Sequence, residues 1–122
     1  MSTALPPTID PIAAARWHAR APAASPWLHE EVARRMQERL QWIAKPPASW
    51  LDWDPVRGGL QGHALVAQRY PQAQAWVYES DARRAEVARK ALGKSWWDRE
   101  RWAGRQPRFG LPEAGQEVEM LW

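Results

Sequence analysis

Acidic residues and glycines cluster in one short stretch of the chain, which reads WLDWDPVRGGLQGH. Asp52 and Asp54 end an apolar run, and Gly58 and Gly59 precede a helix-like segment. Glu79 follows a second apolar run, about 20 positions beyond Gly58. Loop glycines let a nucleotide approach the backbone closely, and an acid at that distance accepts hydrogen bonds from ribose hydroxyls. The spacing favours a nucleotide-type site formed by Asp52, Asp54, Gly58, Gly59 and Glu79.

The elements that must position these residues alternate between strand and helix. Short apolar runs bounded by turn residues predict strands, and longer segments with helical periodicity predict helices. Strand, helix, strand and helix in this order form a βαβ unit, which binds ligands at the carboxyl ends of its parallel strands. The predicted strands are 49–53 and 75–78, and the predicted helices are 60–69 and 81–92, the second capped by Asp81.

A lead helix is predicted before the first strand. Apolar residues recur there at spacings of three and four, and we expect this apolar stripe to pack against the sheet. Residues 1–26 hold five prolines and many alanines and are interpreted as a flexible N-terminal segment. Residues 27–122 then form the α/β domain, in which 118–122 begin a further strand. The members of the stripe are Leu28, Val32, Met36, Leu40 and Ile43.

Composition excludes several kinds of chemistry. The absence of cysteine excludes disulfides, thiolate metal sites and cysteine nucleophiles, and it favours an intracellular protein. No apolar run reaches the ~18 residues of a membrane span, and no signal-peptide core is present, so we predict a cytoplasmic protein. His18, His29 and His63 lack the spacing of metal ligands and are interpreted as surface or capping residues. We therefore predict no metal site, and the sequence identifies no catalytic residue.

The net charge of +3, supplied almost entirely by arginine, would suit an acidic partner. Its simpler interpretation is solvation of helix faces, with Glu30–Arg34 and Glu31–Arg35 as pairs within the lead helix. The segment KSWWDRERWAGRQPR interleaves arginine with tryptophan, as a single-strand nucleic-acid binder would. It is equally typical of an irregular crossover whose tryptophans fill the core, and we favour that interpretation.

The order of these segments resembles that of class I S-adenosylmethionine-dependent methyltransferases. It is most similar to the malonyl-carrier-protein O-methyltransferase family of biotin synthesis, through WLHEEVARRMQERLQWI, WLDWDPVRGGL, ALVAQRYPQAQ, WVYES and VEMLW. The resemblance implies a partial Rossmann-like methyltransferase domain, with a lead helix and about the first four strands of a mostly parallel sheet. It also implies S-adenosylmethionine as cofactor, and as methyl acceptor the free carboxyl of an acyl chain on an acidic carrier protein. Asp52 matches the acid ending the first strand, Gly58 the last loop glycine and Glu79 the ribose-binding acid.

Two positions depart from the family pattern, because Asp54 and Val56 stand where the family has glycine. Glycine serves there because the backbone bends through positive φ and the cofactor approaches without meeting a Cβ. We therefore expect the loop to follow another path and to bind S-adenosylmethionine weakly. Restoring glycine at both positions is expected to strengthen binding, and Glu79→Ala to weaken it.

Two classes of function remain open on the sequence. One is a methyltransferase, or its cofactor-binding half, since the family fold needs about twice this length. The other is a binding module, either an inactive methyltransferase-like scaffold or an Arg/Trp-rich nucleic-acid binder. A sheet that stops at its fourth strand would expose an unpaired edge, so self-association is expected as well.

Overall fold

A four-stranded, all-parallel sheet forms the centre of the molecule, with strands in the order β3-β2-β1-β4. The computed structural model describes residues 7–93 and 106–122. This α/β architecture is compatible with a partial Rossmann-like fold and confirms the predicted fold class. The strands are β1 (Ser49–Trp53), β2 (Gln74–Tyr78), β3 (Arg108–Phe109) and β4 (Met120–Leu121).

Five helices accompany the sheet within the described residues. The predicted helices 60–69 and 81–92 are confirmed to within one residue, whereas the lead α-helix ends at Arg39, before Ile43 of the predicted stripe. Asp81 caps its helix by accepting hydrogen bonds from the Arg83 and Arg84 backbone N–H groups at 2.9 and 3.1 Å. A 3₁₀ turn at Leu40–Trp42 extends the lead helix. The helices are α1 (Pro11–Arg20), α2 (Trp27–Arg39), α3 (Pro55–Gly58), α4 (Leu60–Arg69) and α5 (Ala82–Leu92).

The core lies between the sheet and helices α4 and α5. Trp50 of β1 is fully buried and clusters with Val66 of α4 and Ala75 of β2. A second cluster joins Val77 of β2 to Ala88 of α5. These side chains alternate along their strands, so the strand period of two directs Trp50, Ala75 and Val77 to the helix-covered face.

The apolar stripe of α2 does not pack as predicted. Leu28, Val32, Met36 and Ile43 are each about half exposed, and the buried residue of the helix is Ala33. A Cβ built on Gly62 of α4 would lie 2.5 Å from the Ala33 Cβ, so the two helices meet through their smallest residues. This close approach sets the orientation of α2 and leaves the stripe about half exposed, across a cavity from the ends of β1 and β4. Leu40 alone of the five packs against a core cluster.

The N-terminal stretch contains a helix that the sequence analysis did not predict. Asp10 caps α1 by accepting hydrogen bonds from the Ile12 and Ala13 backbone N–H groups, and Pro11 occupies the first helical position. Both features stabilise a helix start. Helix α1 has no buried residue, which is why apolar periodicity did not reveal it.

None of the helices in the described parts of the chain has the length and apolar character needed to span a membrane. The KSWWDRERWAGRQPR segment lies largely outside the described residues, so the choice between its two interpretations stays a prediction.

Candidate functional site

The carboxyl ends of β1 and β2 meet at one edge of the sheet and bring the predicted acids together. Asp52 is paired in register with Val77, and Glu79 directly follows β2. The Asp54 backbone N–H donates to the Tyr78 carbonyl at 2.8 Å, which ties the loop after β1 to the end of β2. The structure thus places Asp52, Asp54 and Glu79 at this edge, as the sequence predicted.

Asp54 takes the backbone conformation that glycine favours. It has φ 52° and ψ 54°, in the left-handed region, and is the one non-glycine residue with positive φ in the described chain. Its Oδ1 accepts hydrogen bonds from the Ser80 backbone N–H at 3.2 Å and from Ser80 Oγ at 3.4 Å. Aspartate tolerates this region better than most residues, so Asp54 preserves the bend while adding a carboxylate.

The backbone after Asp54 forms the short helix α3. Val56 lies within it, is 1% exposed and packs in the cluster of Val77 and Ala88. The side chain of Val56 therefore belongs to the core and does not project into the sheet edge. Whether the loop departs from the glycine-rich path stays a prediction.

Glu79 is held by this turn. Its Oε1 accepts a hydrogen bond from the Val56 backbone N–H at 2.8 Å, and its side chain is 1% exposed. Oε2 is buried, accepts no hydrogen bond from the described residues, and lies 3.7 Å from Arg84 Nε. Burial raises the pKa of the Glu79 carboxyl to about 7, and Asp54 adds to the rise, whereas the Val56 N–H and Arg84 oppose it.

Asp52 forms a buried pair with His63, which sequence reasoning had assigned to a surface or capping role. His63 Nδ1 lies 2.8 Å from Asp52 Oδ2, and both residues are under 5% exposed. The His63 ring also lies 4.8 Å from the Trp50 ring, centroid to centroid. Burial raises the pKa of the Asp52 carboxyl, and the contact with His63 opposes that rise. The three-residue spacing of His63 and Val66 on one helix face was the signal that could have revealed this burial.

The two glycines of the site differ in what they require. Gly59 has φ 136°, a backbone conformation that favours glycine, and a Cβ there would also lie 2.9 Å from a Glu30 carboxylate oxygen and displace that side chain. A Cβ on Gly58 would meet only the Trp53 carbonyl, at 3.9 Å. Gly59, more than Gly58, is therefore the glycine on which this turn depends.

Glu30 is a residue of the site that the sequence analysis missed. Its carboxylate accepts hydrogen bonds from the Gly62 backbone N–H at 3.2 Å and the Gln61 N–H at 3.4 Å, and from Ser25 Oγ at 2.6 Å. The predicted pair with Arg34 is not formed, because Arg34 binds Glu31 and Glu38 instead. Glu30 of α2 thus engages two of the first backbone donors of α4, those of Gln61 and Gly62.

An apolar cavity of about 290 Å³ adjoins the edge of the sheet. The exposed part of the α2 stripe forms one wall, and Trp53 and Trp122 stand at the ends of β1 and β4. Asp52 and Gly58 also line it, so the cavity reaches the predicted site. No group of three or more histidine or acidic side chains within 7–93 and 106–122 is arranged to hold a metal ion.

Comparison with protein families, with curated proteins and with solved structures finds no match to this chain. The site is defined by the carboxyl edge of the parallel sheet, with Glu79 after β2 and the turn of α3 after β1. Parallel α/β sheets bind ligands at this edge, where the buried Glu79 carboxylate follows β2 and the apolar cavity opens beside Asp52 and Trp53.

Proposed function

We propose that this chain is the nucleoside-binding half of a methyltransferase-like domain, with weak affinity for S-adenosylmethionine. The observation that carries the proposal is the position of Glu79, whose buried Oε2 has no hydrogen-bond donor among the described residues. A buried carboxylate oxygen without a donor is costly, and a ribose hydroxyl would satisfy it. The strand order places this oxygen at the carboxyl edge, where α/β sheets bind ligands.

The residues of the site fit the cofactor in part. The Glu79 carboxylate has the chemistry to accept from ribose hydroxyls once it is uncovered. The cavity beside Trp53 and Trp122 offers apolar walls for the remainder of the ligand. When bound, the cofactor supplies an electrophilic methyl group. The chain's own contribution is to hold and orient the nucleoside and to exclude water from it, since catalysis of methyl transfer is mainly a matter of positioning.

Two features weaken the fit. Glu79 Oε1 is already engaged by the Val56 N–H, and Glu30 engages the N–H groups of Gln61 and Gly62 in α4. Each lost donor or bulky intrusion typically costs about 1–3 kcal/mol, or about 5- to 150-fold in affinity. Two such changes move a micromolar site toward millimolar, which is the affinity we expect.

The resemblance in sequence extends the proposal to the methyl acceptor, the free carboxyl of an acyl chain on an acidic carrier protein. The net charge of +3 supports an acidic partner. A second candidate, a scaffold that binds no cofactor, is favoured by the Glu79–Val56 hydrogen bond, because that bond uses the carboxylate to stabilise the fold. A nucleic-acid-binding module remains a prediction from the tryptophan-rich segment alone.

Titration calorimetry with S-adenosylhomocysteine separates the first two candidates. The proposal predicts binding near millimolar, lost in Glu79→Ala and retained in Glu86→Ala, a matched change of an exposed acid on α5. Asp54→Gly should strengthen binding, since it keeps the bend and removes a carboxylate from the edge. Binding that Glu79→Ala leaves unchanged would refute the assigned site, and no binding by any variant would favour the scaffold.

A further inference from the structure

Helix α1 contacts two arginines, Arg57 and Arg84, on the elements that flank Glu79. The Trp17 ring centroid lies 5.7 Å from Arg57 Cζ, and Arg57 Nη1 donates a hydrogen bond to His18 Nδ1 at 2.9 Å. The His18 carbonyl accepts a hydrogen bond from Arg84 Nη1 at 3.4 Å. Arg57 belongs to α3 and Arg84 to α5, so one helix joins the two elements that enclose Glu79.

Arg84 lies directly beside the carboxylate, and Arg57 is linked to it only through the neighbouring residue Val56. Arg84 Nε lies 3.7 Å from Glu79 Oε2, and the Arg84 side chain is only 10% exposed. Arg57 follows Val56, whose backbone N–H binds Glu79 Oε1. A ligand hydroxyl reaches Oε2 only if Arg84 or the α3 turn moves, because the Glu79 side chain is 1% exposed. Contacts that hold these arginines therefore hold the site closed.

The attachment of α1 is slight in comparison with that of the other helices. None of its residues is buried, and Ile12 and Trp17 are both 64% exposed. An element with few buried apolar contacts opens at low free-energy cost, well below that of global unfolding. Helix α1 can thus leave while the sheet and its cores stay folded.

We propose that α1 is an autoinhibitory strap that closes the Glu79 site through Trp17 and His18. Its release frees Arg57 and Arg84, loosens the Val56 turn and exposes the carboxylate to a nucleoside. The inference rests on the proposed function only for the identity of the ligand. The contacts of Trp17 and His18 with Arg57 and Arg84 do not depend on that ligand.

The strap is tested first without ligand. Because the chain has no cysteine, spin labels can be attached at Ala15→Cys and Lys90→Cys, two exposed positions on α1 and α5. Double electron–electron resonance should give one narrow distance distribution. The Trp17→Ala/His18→Ala double variant should broaden it and, in unlabelled protein, speed hydrogen exchange at the Val56 amide about three- to tenfold.

Ile12→Ala is the matched control, since it changes an equally exposed residue of the same helix and should alter neither readout. A broad distribution in the parent protein, or Val56 exchange equal in the double variant and the control, would overturn the strap.

Ligand binding then separates the two proposals. With S-adenosylhomocysteine, the double variant should associate faster than the parent. If α1 and Val56 respond as expected but no variant binds, the strap stands and the proposed function fails. Equal association rates in the parent and double variant would show that α1 does not close the site.

Discussion

Replacing Glu79 with glutamine should remove a pH-dependent loss of stability. The neutral amide still presents an oxygen to the Val56 N–H, so Glu79→Gln keeps that hydrogen bond and eliminates the ionisation. Burial raises the Glu79 pKa from 4.5 to about 7. The folded state thus favours the protonated acid. Its stabilising contribution is complete below pH 4.5 and is lost as the pH rises through about 7.

The size of this loss follows from the shift in pKa. At 1.36 kcal/mol per pKa unit, the shift corresponds to about 3 kcal/mol, and solvent beside the exposed Ser80 reduces it to about 2 kcal/mol. Urea unfolding at pH 5, 6, 7 and 8 measures the difference between the parent and Glu79→Gln. From pH 5 to pH 8, the unfolding free energy of the Glu79→Gln variant should rise by about 2 kcal/mol relative to that of the parent. Glu86→Gln, an exposed acid of α5, should follow the parent. Parallel pH profiles for the parent and Glu79→Gln would refute the raised pKa and the burial that explains it.

Three further predictions follow from the packing. Gly62→Ala should lower the unfolding free energy by about 1–3 kcal/mol, because its Cβ would lie 2.5 Å from that of Ala33. Gly58→Ala should lower it by less than about 1 kcal/mol, and equal losses in the two variants would contradict the close α2–α4 contact. Leu40→Ala should destabilise the protein by about 1 kcal/mol or more beyond Met36→Ala, because Leu40 packs on the core and Met36 is 51% exposed. The reverse order in the same assay would show that the apolar stripe of α2 packs as the sequence predicted. Sedimentation should detect self-association through the exposed α2 face, and a monodisperse monomer at high concentration would contradict that expectation.

The sequence predicted the two central strands well, the two short outer strands less closely, and the buried face of α2 wrongly. Strand β1 and helix α4 have the predicted bounds, since apolar runs and turn residues mark both. The orientation of α2 could not be predicted from its own periodicity, because it depends on how closely Ala33 approaches Gly62 of another helix. Large apolar residues indicate the buried face of a helix only when small residues on another face do not allow a closer contact with a neighbouring helix.

In the candidate site, too, features set by local sequence were predicted and features set by long-range packing were not. The placement of Glu79 at the sheet edge followed from βαβ topology, which is a local pattern. The Asp52–His63 pair and the capping of α4 by Glu30 join residues 11 to 32 positions apart, and each depends on tertiary packing. Val56 was expected to disturb the loop, but its role in the core became evident only from its burial against Val77.

The central claim is that Glu79 and the turn beside it form a nucleoside site. A two-dimensional ¹⁵N–¹H titration with S-adenosylhomocysteine, carried to millimolar concentration, tests it most directly because it locates binding by residue. The Val56 amide, hydrogen-bonded to Glu79, and the Ser80 amide beside it should shift first and saturate together, and neither should shift in Glu79→Ala. Saturable shifts confined to other parts of the chain, or none at either amide, would contradict the account.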